Sequence, residues 1–421
     1  MSASRSARVA VAAGVLAAVA LPAVTGTASA APVLPVITPV PFAAAAPGAI
    51  PAQTKPDDVT VLDGHVFTPF QNGVGPNGES ASGGGSQSTV AEYDATGHQV
   101  ATYLLTGRCD GLTADPARHR VLASINEDSN SSLAVITPAN ATAAGSITSY
   151  AYSPSPAETS STDTSSHGGT DSLAVSPQGR IFVSHSNPNT GVTGTAAVDE
   201  VTLTGSTAVL TKVLAVDGTA TDAITGLPAT LALTDPDSNR YLPADAPVLP
   251  GTLLQVAQGD SKIIEISAAG TTDQQVKQLA LTSAEPGTAA PTIDDVVEVT
   301  GPGTLYAVDQ GAGTIQTIDT NGLRPGTLVV AQPAAPADNT TTPTTPATPG
   351  QLGVLDPTTG VISHFPNTFT SPKGLAFVPR EATPPPPLPE TSTAVLLPLA
   401  ALGLLAIATT TRGRRRRATS A

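Results

Sequence analysis

The sequence predicts an all-β fold built as a ring of small sheets, a β-propeller, with six blades the best count and five or seven the bounds. Three observations predict it. Between residues 58 and 380 the chain is a succession of short apolar runs broken by Gly, Asp, Asn and Pro, with little helical periodicity. One phrase of three runs and two turns returns at intervals of about 40 to 65 residues, the period of a blade that buries its faces against its neighbours. Finally, aromatic residues make up only 3% of the chain and Trp is absent, so the core must come from Val, Leu, Ile and Ala.

The leading run of the phrase reads Asp110-Gly111-Leu112-Thr113-Ala114-Asp115-Pro116, then Asp171-Ser172-Leu173-Ala174-Val175-Ser176-Pro177, then Lys373-Gly374-Leu375-Ala376-Phe377-Val378-Pro379. Middle runs follow at Arg120 to Ile125, Arg180 to Ser184 and Thr304 to Asp309. Third runs stand at Leu133 to Thr137, Lys262 to Ser267, Thr314 to Asp319 and Leu352 to Asp356. The first repeat reads as lacking a leading strand, with His65-Val66-Phe67, Thr89 to Tyr93 and Gln99 to Leu105 as its later strands. Pairing the orphan Gly374 to Val378 with them would build one blade from N- and C-terminal strands and leave no open edge. A β-sandwich is the competing fold.

Charge excludes some functions. A net of −14 and one Cys argue against nucleic-acid binding and against an intramolecular disulfide scaffold. Residues 1–30 and 392–421 hold seven of the nineteen basic residues and no acidic one. The remaining body therefore has twelve basic against thirty-three acidic residues, a net of −21, which favours solubility and affinity for cations.

Both ends read as addresses. Arg5 and Arg8, apolar Val9 to Leu21 and Ala28-Ser29-Ala30 form a secretory signal over residues 1–30, with cleavage after Ala30. A Pro/Ala-rich linker, 31–57, precedes the propeller, 58–380. A Pro-rich stalk, 381–391, leads to Leu388-Pro389-Glu390-Thr391-Ser392, an apolar anchor helix over 392–411 and a basic tail, 412–421, whose arginines stay cytoplasmic. This tripartite order resembles the sortase cell-wall sorting signals of Gram-positive surface proteins. The resemblance implies sortase and peptidoglycan as partners, with Thr391 as the acyl donor. Ser392 stands where that family has Gly, so a retained single membrane span is the alternative. Arg-over-Lys usage with heavy Ala, Pro and Thr fits an actinobacterial genome.

For chemistry, no G-x-S-x-G elbow is present, Cys109 reads as an inert buried thiol, and the six histidines lack metal-ligand spacing. One constellation stands out. Aligning the leading runs places Asp110, Asp171 and Asp294 or Asp295 just before innermost strands, with Asp222 a looser fourth and Lys373 in the closing blade. In a propeller these positions ring one channel mouth, a hard-oxygen site suited to Ca²⁺ or Mg²⁺. The plainer reading has each Asp capping a turn through its own backbone.

Gly-Leu-Ala-hydrophobic-x-Pro followed by Gly-Arg-Ile-Phe-Val resembles the NHL, YVTN and gluconolactonase-like propeller superfamily. The expected function is a surface-held binding or scaffold module, not an enzyme, facing a protein or glycan ligand and requiring no cofactor. The alternative is a wall-displayed, metal-dependent hydrolase or lyase resembling gluconolactonases or virginiamycin B lyase, with Ca²⁺ at the channel mouth.

Overall fold

The computed structural model describes residues 34–380 except 47, 50, 157–167, 286–287, 336–346 and 367–368. Ala28, Ala30 and Leu388, Pro389, Glu390, Thr391 and Ser392 lie outside these residues, as does the expected anchor helix. The described residues are β-strands and turns with two short 3-10 segments, and no helix among them is long and apolar enough to cross a membrane.

The strands form six four-stranded antiparallel units. In the first, Thr60–Leu62, His65–Phe70, Gln87–Tyr93 and Gln99–Thr106 pair in chain order. The second comprises Cys109–Asp115, Arg120–Ile125, Ser132–Thr137 and Ser146–Ser153. The third comprises Leu173–Val175, Ile181–Ser184, Ala196–Thr204 and Thr207–Ala215, and its outer strand pairs in parallel with that of the second, fusing eight strands into one sheet. The fourth is Pro236–Tyr241, Thr252–Ala257, Lys262–Ser267 and Gln275–Ala280, with a hairpin added at its outer edge by Thr219–Asp222 and Pro228–Thr230.

The last two units are interleaved. Asp295–Val299 leads the fifth unit but pairs with Thr327–Gln332, which continues to Gln351–Leu355 and Val361–His364. Between those first two strands the chain detours into the sixth unit as Gly303–Asp309 and Thr314–Asp319, and it ends as that unit's inner strand, Pro372–Pro379. Val40–Ala44, from the stretch expected to be linker, pairs with Thr314–Asp319 as the outer strand.

Both chain ends therefore share one sheet, but the expected pairing is corrected: Gly374 to Val378 lies against Gly303–Asp309 and not against His65-Val66-Phe67. The reason is local. Asp63 and Gly64 both adopt positive φ, a two-residue turn that folds Thr60–Leu62 back onto His65–Phe67 and fills the position expected to be vacant.

Six apolar clusters lie between consecutive units. Leu62, Phe67 and Val90 meet Leu112, Val121 and Ile136 between the first and second. Val66 and Phe70 meet Tyr306, Val308 and Ala376 between the first and sixth, which closes the ring. Burying a side chain such as Phe70 contributes about 1.5–3 kcal/mol. Each unit's inner strand neighbours those of the flanking units, so the six line a central channel, the arrangement of a β-propeller. Glycines permit the closest approaches: a Cβ at Gly374 would sit 2.5 Å from the Asp58 Cα, and one at Gly111 2.6 Å from the Ser172 Cα.

Candidate functional site at the channel mouth

In an antiparallel pair the start of the inner strand lies beside the end of the second strand, so two sets of residues converge on one mouth. The first set is Asp57, Asp110, Asp171, Asp237, Asp294 and Lys373, one from the start of each inner strand. The second, just after second strands, includes Gln71, Glu127, Asn187, Gln258 and Gln310. Asp57, Asp171, Asp237, Lys373, Glu127 and Gln258 of these sets, with Arg108, line a cavity of about 370 Å³.

Two cations organise the carboxyl groups. Lys373 Nζ donates to Asp294 Oδ1 at 2.8 Å and lies 3.4 Å from Asp57 Oδ1. Arg108 Nη1 donates to Glu127 Oε1 at 2.6 Å, while its Nε lies 2.8 Å from Asp110 Oδ1, close in charge but not aligned as a hydrogen bond. Amides add to this: Gln71 donates to Asp110 at 2.6 Å, Gln310 to Asp57 at 2.7 Å and Gln258 to Asp294 at 3.3 Å. Asp171 and Asp237 interact directly, and repulsion from Asp171 adds to the burial that raises Asp237.

Burial sets the protonation. It pushes the Asp110 carboxyl up to about 7 against the pull of Arg108, and Asp294 up to about 6 against the pull of Lys373. Burial and then neighbouring carboxylates raise Asp171, Asp237 and Glu127 as well. For Lys373, burial opposes the charge but Asp294, Asp57 and Asp237 outweigh it, and the ammonium is held well above its ordinary value.

One residue further along the inner strands lies a second polar band. Asp58 Oδ2 accepts the Leu112 N–H at 2.7 Å, tying the first unit to the second. Asp295 Oδ2 accepts the Leu375 N–H at 2.8 Å, tying the fifth to the sixth, and Arg240 Nη2 at 2.9 Å. Arg240 also donates to the Val296 and Leu375 carbonyls at 2.7 and 2.6 Å. A channel cavity of about 90 Å³ lies among these groups. At the opposite mouth a wider cavity, about 500 Å³, has apolar walls that include Val61, Tyr241 and Phe377.

Of the residues predicted from sequence, Asp110, Asp171 and Asp294 do converge on one mouth, with Lys373 among them. Asp222 does not: it is at the outer edge of the fourth unit, where its Oδ1 accepts the N–H groups of Ile224 and Thr225 at 3.1 and 2.7 Å, the turn-capping role of the plainer reading. The fourth unit's true contribution is Asp237. Cys109 is a fully buried free thiol, pushed up by burial, and no described histidine lines the mouth.

A divalent metal fits this donor set poorly. Ca²⁺ takes six to eight oxygens at about 2.3–2.6 Å, and among the described residues no three His, Cys, Asp or Glu are grouped to hold an ion. Lysine, arginine and glutamine donors already occupy one oxygen each of Asp57, Asp110, Asp294 and Glu127.

No protein-family profile and no curated protein matches the sequence. Among solved structures the chain is similar to the periplasmic gluconolactonase of Pseudomonas aeruginosa (TM-score 0.43, 13% identity, covering 78% of this chain and 89% of that one). It is also similar to a gluconolactonase of Xanthomonas campestris (TM-score 0.38, 13% identity, 80% and 90%) and to a streptogramin B lyase (TM-score 0.37, 12% identity, 79% and 74%). Every score is below 0.5, so the ring rests on the strand pairings themselves.

Proposed function

We propose that the chain is an exported six-bladed propeller, held at the extracellular face by sortase linkage of Thr391 to peptidoglycan, that binds a small hydrophilic ligand at its channel mouth without turning it over. The observation that carries the binding role is the cavity of about 370 Å³ lined almost wholly by charged and amide groups. Its size suits one or two sugar-sized rings. Its excess of carboxyl and amide oxygens over the two cations favours a ligand rich in hydroxyl or ammonium donors and disfavours an anionic one.

The metal-dependent hydrolase or lyase reading needs several oxygens free to converge on one ion, and the mouth does not offer them. Calorimetric titration of the full-length chain in detergent with glucosamine, glucose and glucuronate tests the proposal. The expected order is glucosamine, then glucose, with glucuronate silent, and D237N weakens the first. Heat from none of the three, or from glucuronate alone, would overturn the binding reading. The anchoring arm is tested by the wall fraction of producing cells, from which T391A is expected to disappear.

A further inference from the structure

We propose that Lys373 is a resident counter-ion, standing where a divalent cation would otherwise sit in the carboxyl ring, and that it makes the mouth indifferent to divalent metals. The inference does not depend on which ligand the cavity takes. Five of the six inner strands bring an aspartate to the mouth, and the sixth brings lysine in the same phrase: Asp110-Gly111-Leu112 and Lys373-Gly374-Leu375 differ only at this residue. The ammonium is not a surface charge swung inward. Its side chain is largely buried, with Asp294 Oδ1 at 2.8 Å and Asp57 Oδ1 at 3.4 Å, and Asp237 adds to the field around it.

An ammonium has three N–H donors and no acceptor, so it can serve several carboxylates at once, as an ion would, but with one positive charge and longer contacts. Arg108 supplies the second charge across the ring, against Asp110 and Glu127. The two side chains together carry the charge of one divalent ion. A Ca²⁺ placed among Asp57, Asp237 and Asp294 would have to share their oxygens with Nζ, and like charges at such a distance repel strongly in a buried site.

With Lys373 in place, no three carboxyl groups among the described residues are grouped around one point; removing the ammonium should let Asp57, Asp237 and Asp294 close on a cation instead. In the full-length chain, thermal unfolding of the wild type is expected to be the same in EDTA and in millimolar Ca²⁺. K373M, which keeps the aliphatic stem, is expected to melt lower in EDTA and to regain about 5 °C in millimolar Ca²⁺, with one bound ion by calorimetry. K373M/D294N, in which a lost positive charge is matched by a lost negative one, should recover without Ca²⁺. If K373M folds only when Ca²⁺ is present, that too supports the proposal. An EDTA-sensitive shift in the wild type would overturn it, as would a K373M that stays destabilised, or fails to fold, whether or not Ca²⁺ is added.

Discussion

Two bands of polar residues, one position apart on the same inner strands, differ in what they face. In the mouth band Asp110 and Asp294 face the cations Arg108 and Lys373, while Asp57, Asp171 and Asp237 line a cavity. Asp58 and Asp295, each the very next residue after a mouth aspartate, instead accept backbone N–H groups from neighbouring units. Successive strand residues point opposite ways, so an Asp-Asp pair at a strand start supplies one group to each task. Acidity of itself does not mark function here; the partner of each carboxyl does.

The comparison breaks most visibly at the inner band. D295A leaves the Leu375 N–H without its acceptor and Arg240 without its carboxylate, and is expected to cost about 3 kcal/mol in urea unfolding. A loss no larger than that of a surface substitution would show that the band does not hold the ring.

In the mouth band the sign reverses. Asp110, Asp294, Asp171 and Asp237 all hold protons more tightly than ordinary carboxyl groups, so between about pH 4 and pH 7 the folded chain binds protons that the unfolded chain has released. Stability from these groups is full at the acidic end and is lost as pH rises, so the melting temperature is expected to be higher at about pH 5 than at about pH 7.5. Lys373 stays charged throughout that window. D171N removes one of two mutually repelling carboxyl groups and should stabilise the chain by about 1 kcal/mol at neutral pH, with less gain in acid; destabilisation at both pH values would refute that repulsion. The smallest effect is expected for D222A, on an outer hairpin: losing its turn cap should lower the urea midpoint only slightly, by a small fraction of the D295A loss.

Much of the ring was legible because inner strands carry a repeated phrase, so Asp110, Asp171, Asp294 and Lys373 could be aligned from sequence. Asp237 could not. Asp235-Pro236-Asp237 reads as a turn, although proline is tolerated at the first residue of a strand, where it stands here. Asp222, the looser fourth, belongs instead to an outer hairpin strand that carries no inner-strand phrase. Thr60–Leu62 escaped notice because three residues are too few to show alternation. The amides that follow second strands, Gln71, Gln258 and Gln310, had a usable signal in their common position after a β-branched or apolar run, but that regularity emerges only once strand ends are known.

The interleaving of the last two units has a consequence for biogenesis. Residues 303–319 are made after one flanking strand of their final position, Val40–Ala44, and before the other, Pro372–Pro379. Until residue 379 is available the hairpin has an exposed edge and the torus has a gap, so the nascent protein cannot lock. Assembly is thus deferred to the end of synthesis, and a chain truncated before Pro372 should be a substrate for quality control instead of a smaller stable domain.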